Sequence, residues 1–262
     1  MDDFTALNRT IERVVGIKTS NYKEDYIRRR VLSRMRISGN DSFAAYHRYL
    51  ISEKGEKDLL RNALTINVTE FLRDPEVFSI VRQQVLPEIL ERKTRVRIWC
   101  AGCATGEEAY TYAMLARDLS FTHEIDCTIY ATDIDRKVLE KAREGVYDAR
   151  ALKNLKEREI QKHFIHRDDG KYEAKPELKA MVRFSYHDLM SNIPAARFLD
   201  IVSCRNVTIY FNEAQKADLV RMIHDALRTD GYYVMGKTEY LGRDVEGLFA
   251  PFDPIQKVYT KK

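Results

Sequence analysis

From residue 95 onward, short β-rich runs alternate with helical stretches, and few architectures accept that order. The runs are VRIWC (96–100), CTIYATD (127–133), MVRFSYHDL (181–189), DIVSCRNV (200–207), YYVMG (232–236) and QKVYT (256–260). Helical patterns lie between them near 106–119, 135–144 and 212–228. Alternating strand and helix predicts an α/β fold with a parallel, doubly wound sheet. The final two runs leave no room for a long crossover helix, which predicts an antiparallel hairpin at one edge. Residues 145–180 break the alternation. They carry helical pieces and then HRDDGKYEAKPEL, with Asp169-Gly170 as a hairpin signal. A small inserted subdomain is expected there.

The first ~90 residues have apolar spacings of three and four and few strand-like runs, so they read as helical. Ile27, Val31, Leu32 and Met35 form one apolar stripe, which would leave Arg28, Arg30, Arg34 and Arg36 largely outward. Gly39-Asn40 marks a helix stop and Asp41-Ser42 a new N-cap. A further helix is expected over 75–92, with Pro75 at its start. We place the domain boundary after residue 75, between a helical domain (1–75) and the α/β domain (76–262).

The composition, 44% hydrophobic and 32% charged over 262 residues, is that of a soluble globular chain. Nothing approaches 18 consecutive apolar residues, so membrane insertion is not expected. MDDFTALNRT has acid where a secretory signal has base, which predicts a cytoplasmic protein. The net charge is +4, and residues 23–36 alone hold six basic and two acidic residues. One basic helix suggests an acidic partner rather than a nucleic-acid coat.

The densest stretch is IWCAGCATGEE (98–108). Cys100 and Cys103 form a CxxC, but no second CxxC is present to complete a structural zinc site. A redox CxxC usually opens a helix, and here Gly102 and Gly106 intervene before one begins. Small, buried cysteines at a strand end are the better reading, and no metal is expected. The glycines follow a strand and precede a helix, in the manner of a cofactor turn, but the G-x-G-x-x-G pattern is broken. ATDID (131–135) ends the next strand. Asp135 suits the N-cap of the following helix, leaving Asp133 to accept from ribose hydroxyls. No GxxxxGK[ST] is present to cradle phosphates. A cofactor with an adenosine and no phosphate fits best, and S-adenosylmethionine is the common one.

Four stretches in order carry a resemblance: NVTEFLRDP (67–75), RIWCAGCATGEEAY (97–110), ATDID (131–135) and CRNVTIYF (204–211). The chain resembles the CheR family, S-adenosylmethionine-dependent methyltransferases that esterify chemoreceptor glutamates. The likeness extends to YYVMGKTEYL (232–241), essentially the whole chain. It implies a Rossmann-like class I methyltransferase fold, an N-terminal all-helical domain and a small β-subdomain. It also implies site residues. Asn67, Thr69 and Arg73 would reach the cofactor, and Ala101 and Glu108 would line its pocket. Asp133 and Ile134 would hold the ribose end, and Asp188, Leu189, Arg205 and Asn206 would complete the site. Arg73 and Tyr210 would face the methyl group and the incoming carboxylate. Glu107 would be a first-turn acid favoured by the helix dipole. Three positions depart from the family: Asp188 stands for Asn, Ala109 for Pro, and Lys237 for the His of GHSE.

The implied partners are the cytoplasmic helices of methyl-accepting chemotaxis receptors, at membrane receptor arrays. Arg28, Arg30, Arg34 and Arg36 would dock on their acidic faces. A compact HRDDGKYEAKPEL predicts the branch without a C-terminal pentapeptide tether. A monomer is expected. Three rivals are less favoured: a methyltransferase of RNA or of another protein, an NAD-linked oxidoreductase, and a non-catalytic cofactor sensor. RNA would call for a wider basic and aromatic surface, and NAD for an intact glycine pattern.

Overall fold

The computed structural model describes residues 3–65 and 67–262. The chain divides into two compact units, Met1–Asn67 with Tyr210–Gln215, and Val68–Ile209 with Lys216–Lys262. The break therefore falls after residue 67, not after 75.

The first unit is built on helices α1 (Asp3–Val15), α2 (Glu24–Ser38), α3 (Phe43–Ser52) and α4 (Glu56–Leu64). α1 buries Phe4, Leu7, Ile11 and Val15, one face at three- and four-residue spacing. α2 ends at Gly39, which adopts φ 71° so that its N–H and that of Asn40 reach back to the carbonyls of Arg36 and Met35. α3 starts at Ser42, whose hydroxyl accepts from the Ala45 N–H.

The buried face of α2 is Tyr26, Ile27, Val31 and Met35, and two sequence expectations fail on it. Leu32 is 39% exposed and lies outside the stripe. Arg34 turns inward. At 100° per residue it lies two turns after Ile27, only about 20° round the helix from it. Its guanidinium grips the buried Glu56 carboxylate through two bonds, Nη2–Oε2 2.6 Å and Nε–Oε1 3.0 Å. The Tyr46 hydroxyl donates to the same carboxylate at 2.6 Å, and burial together with that bond pushes the Tyr46 phenol well up.

In the second unit the helices are α5 (Pro75–Ile80), α6 (Leu86–Leu90), α7 (Glu107–Leu119), α8 (Arg136–Glu144), α9 (Glu157–His163) and α10 (Pro176–Met181). α11 (Glu213–Ala226) follows, most of it in this unit. Strands β1 (Arg95–Ala101), β2 (Asp126–Asp133), β6 (Val182–Tyr186), β7 (Leu199–Cys204), β8 (Leu227–Met235), β9 (Phe249–Asp253) and β10 (Val258–Lys261) form one sheet. Their order is β6-β2-β1-β7-β8-β10-β9. The β6, β2, β1, β7 and β8 pairings are parallel, and β10 is antiparallel to both β8 and β9. The last two expected runs, β8 and β10, are thus antiparallel neighbours, but β9 lies between them in the chain, so the hairpin is β9–β10 and β9 forms the edge. β7 is buried along its whole length, as a strand covered on both faces should be. Strands β3 (Val146–Tyr147), β4 (Phe164–His166) and β5 (Tyr172–Ala174) make the small antiparallel subdomain sheet.

The expected 75–92 helix carries a π-turn over Val81–Val85, just before Pro87. Proline inside a helix removes a donor and crowds the preceding turn, and a widened turn relieves both. Among the described residues no helix is long and apolar enough to cross a membrane.

Candidate active site

The strand order reverses about β1: the chain runs outward through β2 and β6, then returns to β7 on the other side. Loops leaving the carboxyl ends of β1 and β7 therefore meet at a switch point, where open α/β sheets bind ligands.

The loop after β1 is tightly held. The N–H groups of Gly102 and Cys103 both donate to the Thr132 carbonyl, at 2.8 and 2.9 Å. Gly102, Ala104 and Gly106 all adopt positive φ, at 81°, 46° and 93°. A Cβ on Gly102 would lie 2.6 Å from Val207 Cγ2, so this position has no room for a side chain. Cys100 and Cys103 are free, buried thiols, and burial pushes both well above the ordinary range. They are small residues in the core, unsuited to redox work in that state.

Asp133 ties this loop to the end of β2. One carboxylate oxygen accepts from the Ala104 N–H and the other from the Asp135 N–H, each at 2.9 Å. Burial nevertheless pushes its carboxyl upward. Its first role is to shape the turn, and a ribose would have to use its remaining lone pairs. Asp135 caps α8 as expected, accepting from the Lys137 N–H. Ile134 is half-buried between them.

The two glutamates that open α7 differ. Glu107 is a first-turn acid, as expected, but a buried one. Its carboxylate accepts from the Thr105 hydroxyl at 2.7 Å, and burial pushes it up. Glu108 accepts from the Ser203 hydroxyl at 2.7 Å and from Arg205 at 3.0 Å.

Arg205 is the centre of a brace. Its side chain is 1% exposed, and it bonds Glu108, Asp74 Oδ2 (2.6 Å) and the Arg73 carbonyl (2.8 Å). It also lies over the Phe78 ring. Burial would pull the guanidinium pKa down, but Glu108 and Asp74 outweigh that and raise it. Arg205, expected to meet the cofactor, commits both Nη groups to protein partners, while its Nε is buried without a hydrogen-bond partner among the described residues. It fixes the 72–74 backbone, where Leu72 and Asp74 hold positive φ of 48° and 57°. Phe71 anchors the same segment, edge-on to Tyr147 and Phe164 of the subdomain. Arg73 is half-buried and donates to the Val68 carbonyl at 3.0 Å. Among the described residues it makes no ion pair. Thr69 is half-buried in the same segment.

Asn206 follows at φ 61°, and its Oδ1 is buried without a hydrogen-bond partner among the described residues. Asp188 caps the short turn Leu189–Ser191 by accepting from the Met190 N–H at 2.9 Å. Leu189 is buried beside it. Lys237, at the family's His position, pairs with Glu76 on the surface at 2.8 Å.

In the second unit Arg205 joins Glu108 to the Arg73 backbone, and Asp133 holds the loop that leaves β1 after Ala101; Asn206 directly follows Arg205 in the chain. Asn67 and Tyr210 belong to the helical unit. There the Tyr210 carbonyl accepts from the Lys23 N–H, and its ring lies 4.7 Å from that of Tyr26. Asp74, Ser203 and Glu239 were not picked out by sequence pattern, because their partners lie far along the chain.

Residues 67–253 match the family model described as "CheR methyltransferase, SAM binding domain", and residues 2–65 the "CheR methyltransferase, all-alpha domain". The chain belongs to the CheR methyltransferase family. The chemotaxis protein methyltransferase of Escherichia coli (strain K12) is 32% identical, over 90% of this chain and 83% of its own. That of Listeria innocua is 31% identical, over 91% of this chain and 90% of its own. Chemotaxis protein methyltransferase 2 of Vibrio cholerae is 29% identical, over 92% and 86%.

The cofactor of this CheR-family methyltransferase is S-adenosylmethionine. The residues present fit it. Asn206 offers an unpartnered buried acceptor, and the bare Gly102 backbone allows close approach. Glu108 and Asp74 carry two negative charges against the one positive charge of Arg205, and the surplus favours a molecule carrying positive charge.

Proposed function

We propose that this chain transfers the methyl group of S-adenosylmethionine to glutamate carboxylates on the cytoplasmic helices of chemotaxis receptors. The reading comes from the family. The observation that carries it within the site is the contrast between its two arginines. Arg205 is neutralised by Glu108 and Asp74, whereas Arg73, on the same braced segment, makes no ion pair among the described residues. Arg73 is therefore the cation suited to receive one.

When bound, the cofactor supplies a methyl group on a cationic sulfonium. A glutamate, with an ordinary pKa of about 4.3, is already an anion at neutral pH, so the chain needs no general base. Its task is alignment. Arg73 holds the incoming carboxylate by charge-assisted bonds, while Arg205 fixes the Arg73 backbone from beneath. Glu108 and Asn206 hold the cofactor's polar groups, and Asp133 keeps the Ala104 turn in place for it. The parts of Asn67 and Tyr210 rest on the resemblance alone.

Docking would fall to the exposed face of α2. Arg29 and Arg36 are exposed there, with Arg28 and Arg30 half-buried at its borders. Arg28 lies over the Phe4 ring and Arg30 over Tyr26. Arg34, held by Glu56, is withdrawn from the docking set. The untethered type is supported by the tight β4–β5 turn, closed by the Arg167 N–H on the Lys171 carbonyl. Calorimetry with the receptor pentapeptide should show no tight binding.

Arg73→Ala tests the reading. Loss of a charge-assisted bond to the reacting carboxylate should lower labelling of a cognate receptor about 10- to 100-fold at saturating cofactor. Equal labelling by both proteins would remove Arg73 from the reaction.

A further inference from the structure

The turn that carries Asn206 is assembled by a single buried side chain. Glu239 is 3% exposed, and its carboxylate gathers five bonds. Oε1 accepts from the N–H of Val207 (3.0 Å), the N–H of Thr208 (2.7 Å) and the Thr208 hydroxyl (2.7 Å). Oε2 accepts from the N–H of Asn206 (2.8 Å) and of Gly236 (2.7 Å). Three successive backbone N–H groups converging on one point form an anion nest, and here an internal carboxylate fills it. The fit is close: a Cβ on Gly236 would lie 2.5 Å from Oε2 and 2.8 Å from the Asn206 nitrogen. A left-handed conformation is uncommon outside glycine, and it persists only where surroundings dictate it. At Asn206 the dictating group is Glu239.

We propose that Glu239 is a positioning residue for the cofactor. It holds the 206–208 turn in the one conformation that presents the Asn206 side chain. The inference rests on the reading that Asn206 contacts S-adenosylmethionine. Glutamine cannot replace it. Each oxygen of Glu239 serves N–H or O–H donors, so an amide NH₂ at either place would set donor against donor.

The test is cofactor affinity by calorimetry, with S-adenosylhomocysteine as the probe and no receptor present. Failure of the receptor reading would leave this result untouched. Thermal unfolding is followed alongside, since a merely structural role would lower the melting temperature without weakening binding by the folded fraction. Glu239→Gln should weaken binding about tenfold or more. Asn206→Ala should do so as well, and the double variant should be no weaker than the weaker single within about twofold, as for residues acting in series. Should Glu239→Gln not fold, Thr208→Val removes one of the five donors and should weaken binding about two- to fivefold. Unchanged affinity in the folded Glu239→Gln, or in Thr208→Val where it must stand in, would overturn the proposal. Additive losses in the double variant would overturn it too.

Discussion

Two arginines that look alike in the sequence as solvated or ligand-binding cations are internal ties. Arg34 and Arg205 each meet a buried or half-buried carboxylate through short bonds. Removing one member of such a pair leaves the other charge buried and unpaired, which costs more than the pair contributes. Glu56→Ala should therefore destabilise the chain by about 3–5 kcal/mol, read from urea unfolding. A loss under about 1 kcal/mol would rank the pair with ordinary surface bridges. Arg34 was legible in part, since its helical phase puts it beside Ile27, but phase alone does not reveal Glu56 as the partner. Glu239 was not legible. Four of its five donors lie 31 to 33 residues away, and three of those are backbone N–H groups that every residue type but proline carries.

At the scale of elements, the alternation after residue 95 predicted every parallel strand, because buried strands and amphipathic helices carry strong periods. β9 escaped it. Its sequence FAPFD contains Pro251, and proline is tolerated only where a strand lies at a sheet edge, as this one does. The π-turn escaped as well, although Pro87 marks where a regular ladder must fail. Glycines separate the two kinds of loop. Gly39 has open space around its missing Cβ, so Gly39→Ala should cost only the strain of φ 71°, about 1 kcal/mol. Gly102→Ala adds a collision with Val207, and should cost more than Gly39→Ala and weaken cofactor binding. Thermal unfolding and calorimetry on the two variants check the contrast. Equal losses with equal affinity would mean that the loop after β1 is not under steric control.

Across the whole molecule, acid and salt should act on different parts. Asp118 is pushed up by burial, but bonds from His163 (3.0 Å) and Lys162 (2.5 Å) outweigh this and hold it at about 2. A carboxyl held below its unfolded value stabilises the fold at higher pH. That contribution is lost as pH falls from about 4 through 2. It is on the order of 2 kcal/mol, so Asp118→Asn should flatten the acid limb of the urea-stability profile. An unchanged limb would assign acid sensitivity elsewhere. Salt should act on docking. Reversing Arg29 and Arg36 to Glu should raise the receptor KM about tenfold at low ionic strength. The effect should shrink at high salt, with cofactor affinity constant. A salt-independent or absent change would remove the α2 face from docking.

The central claim is that the acceptor is a receptor glutamate, and the bond formed decides it. Labelled S-adenosylmethionine, the purified chain and a cognate receptor cytoplasmic domain should give label on glutamate side chains, released as methanol by mild base. Base-stable label, or label on any other side chain, would contradict it.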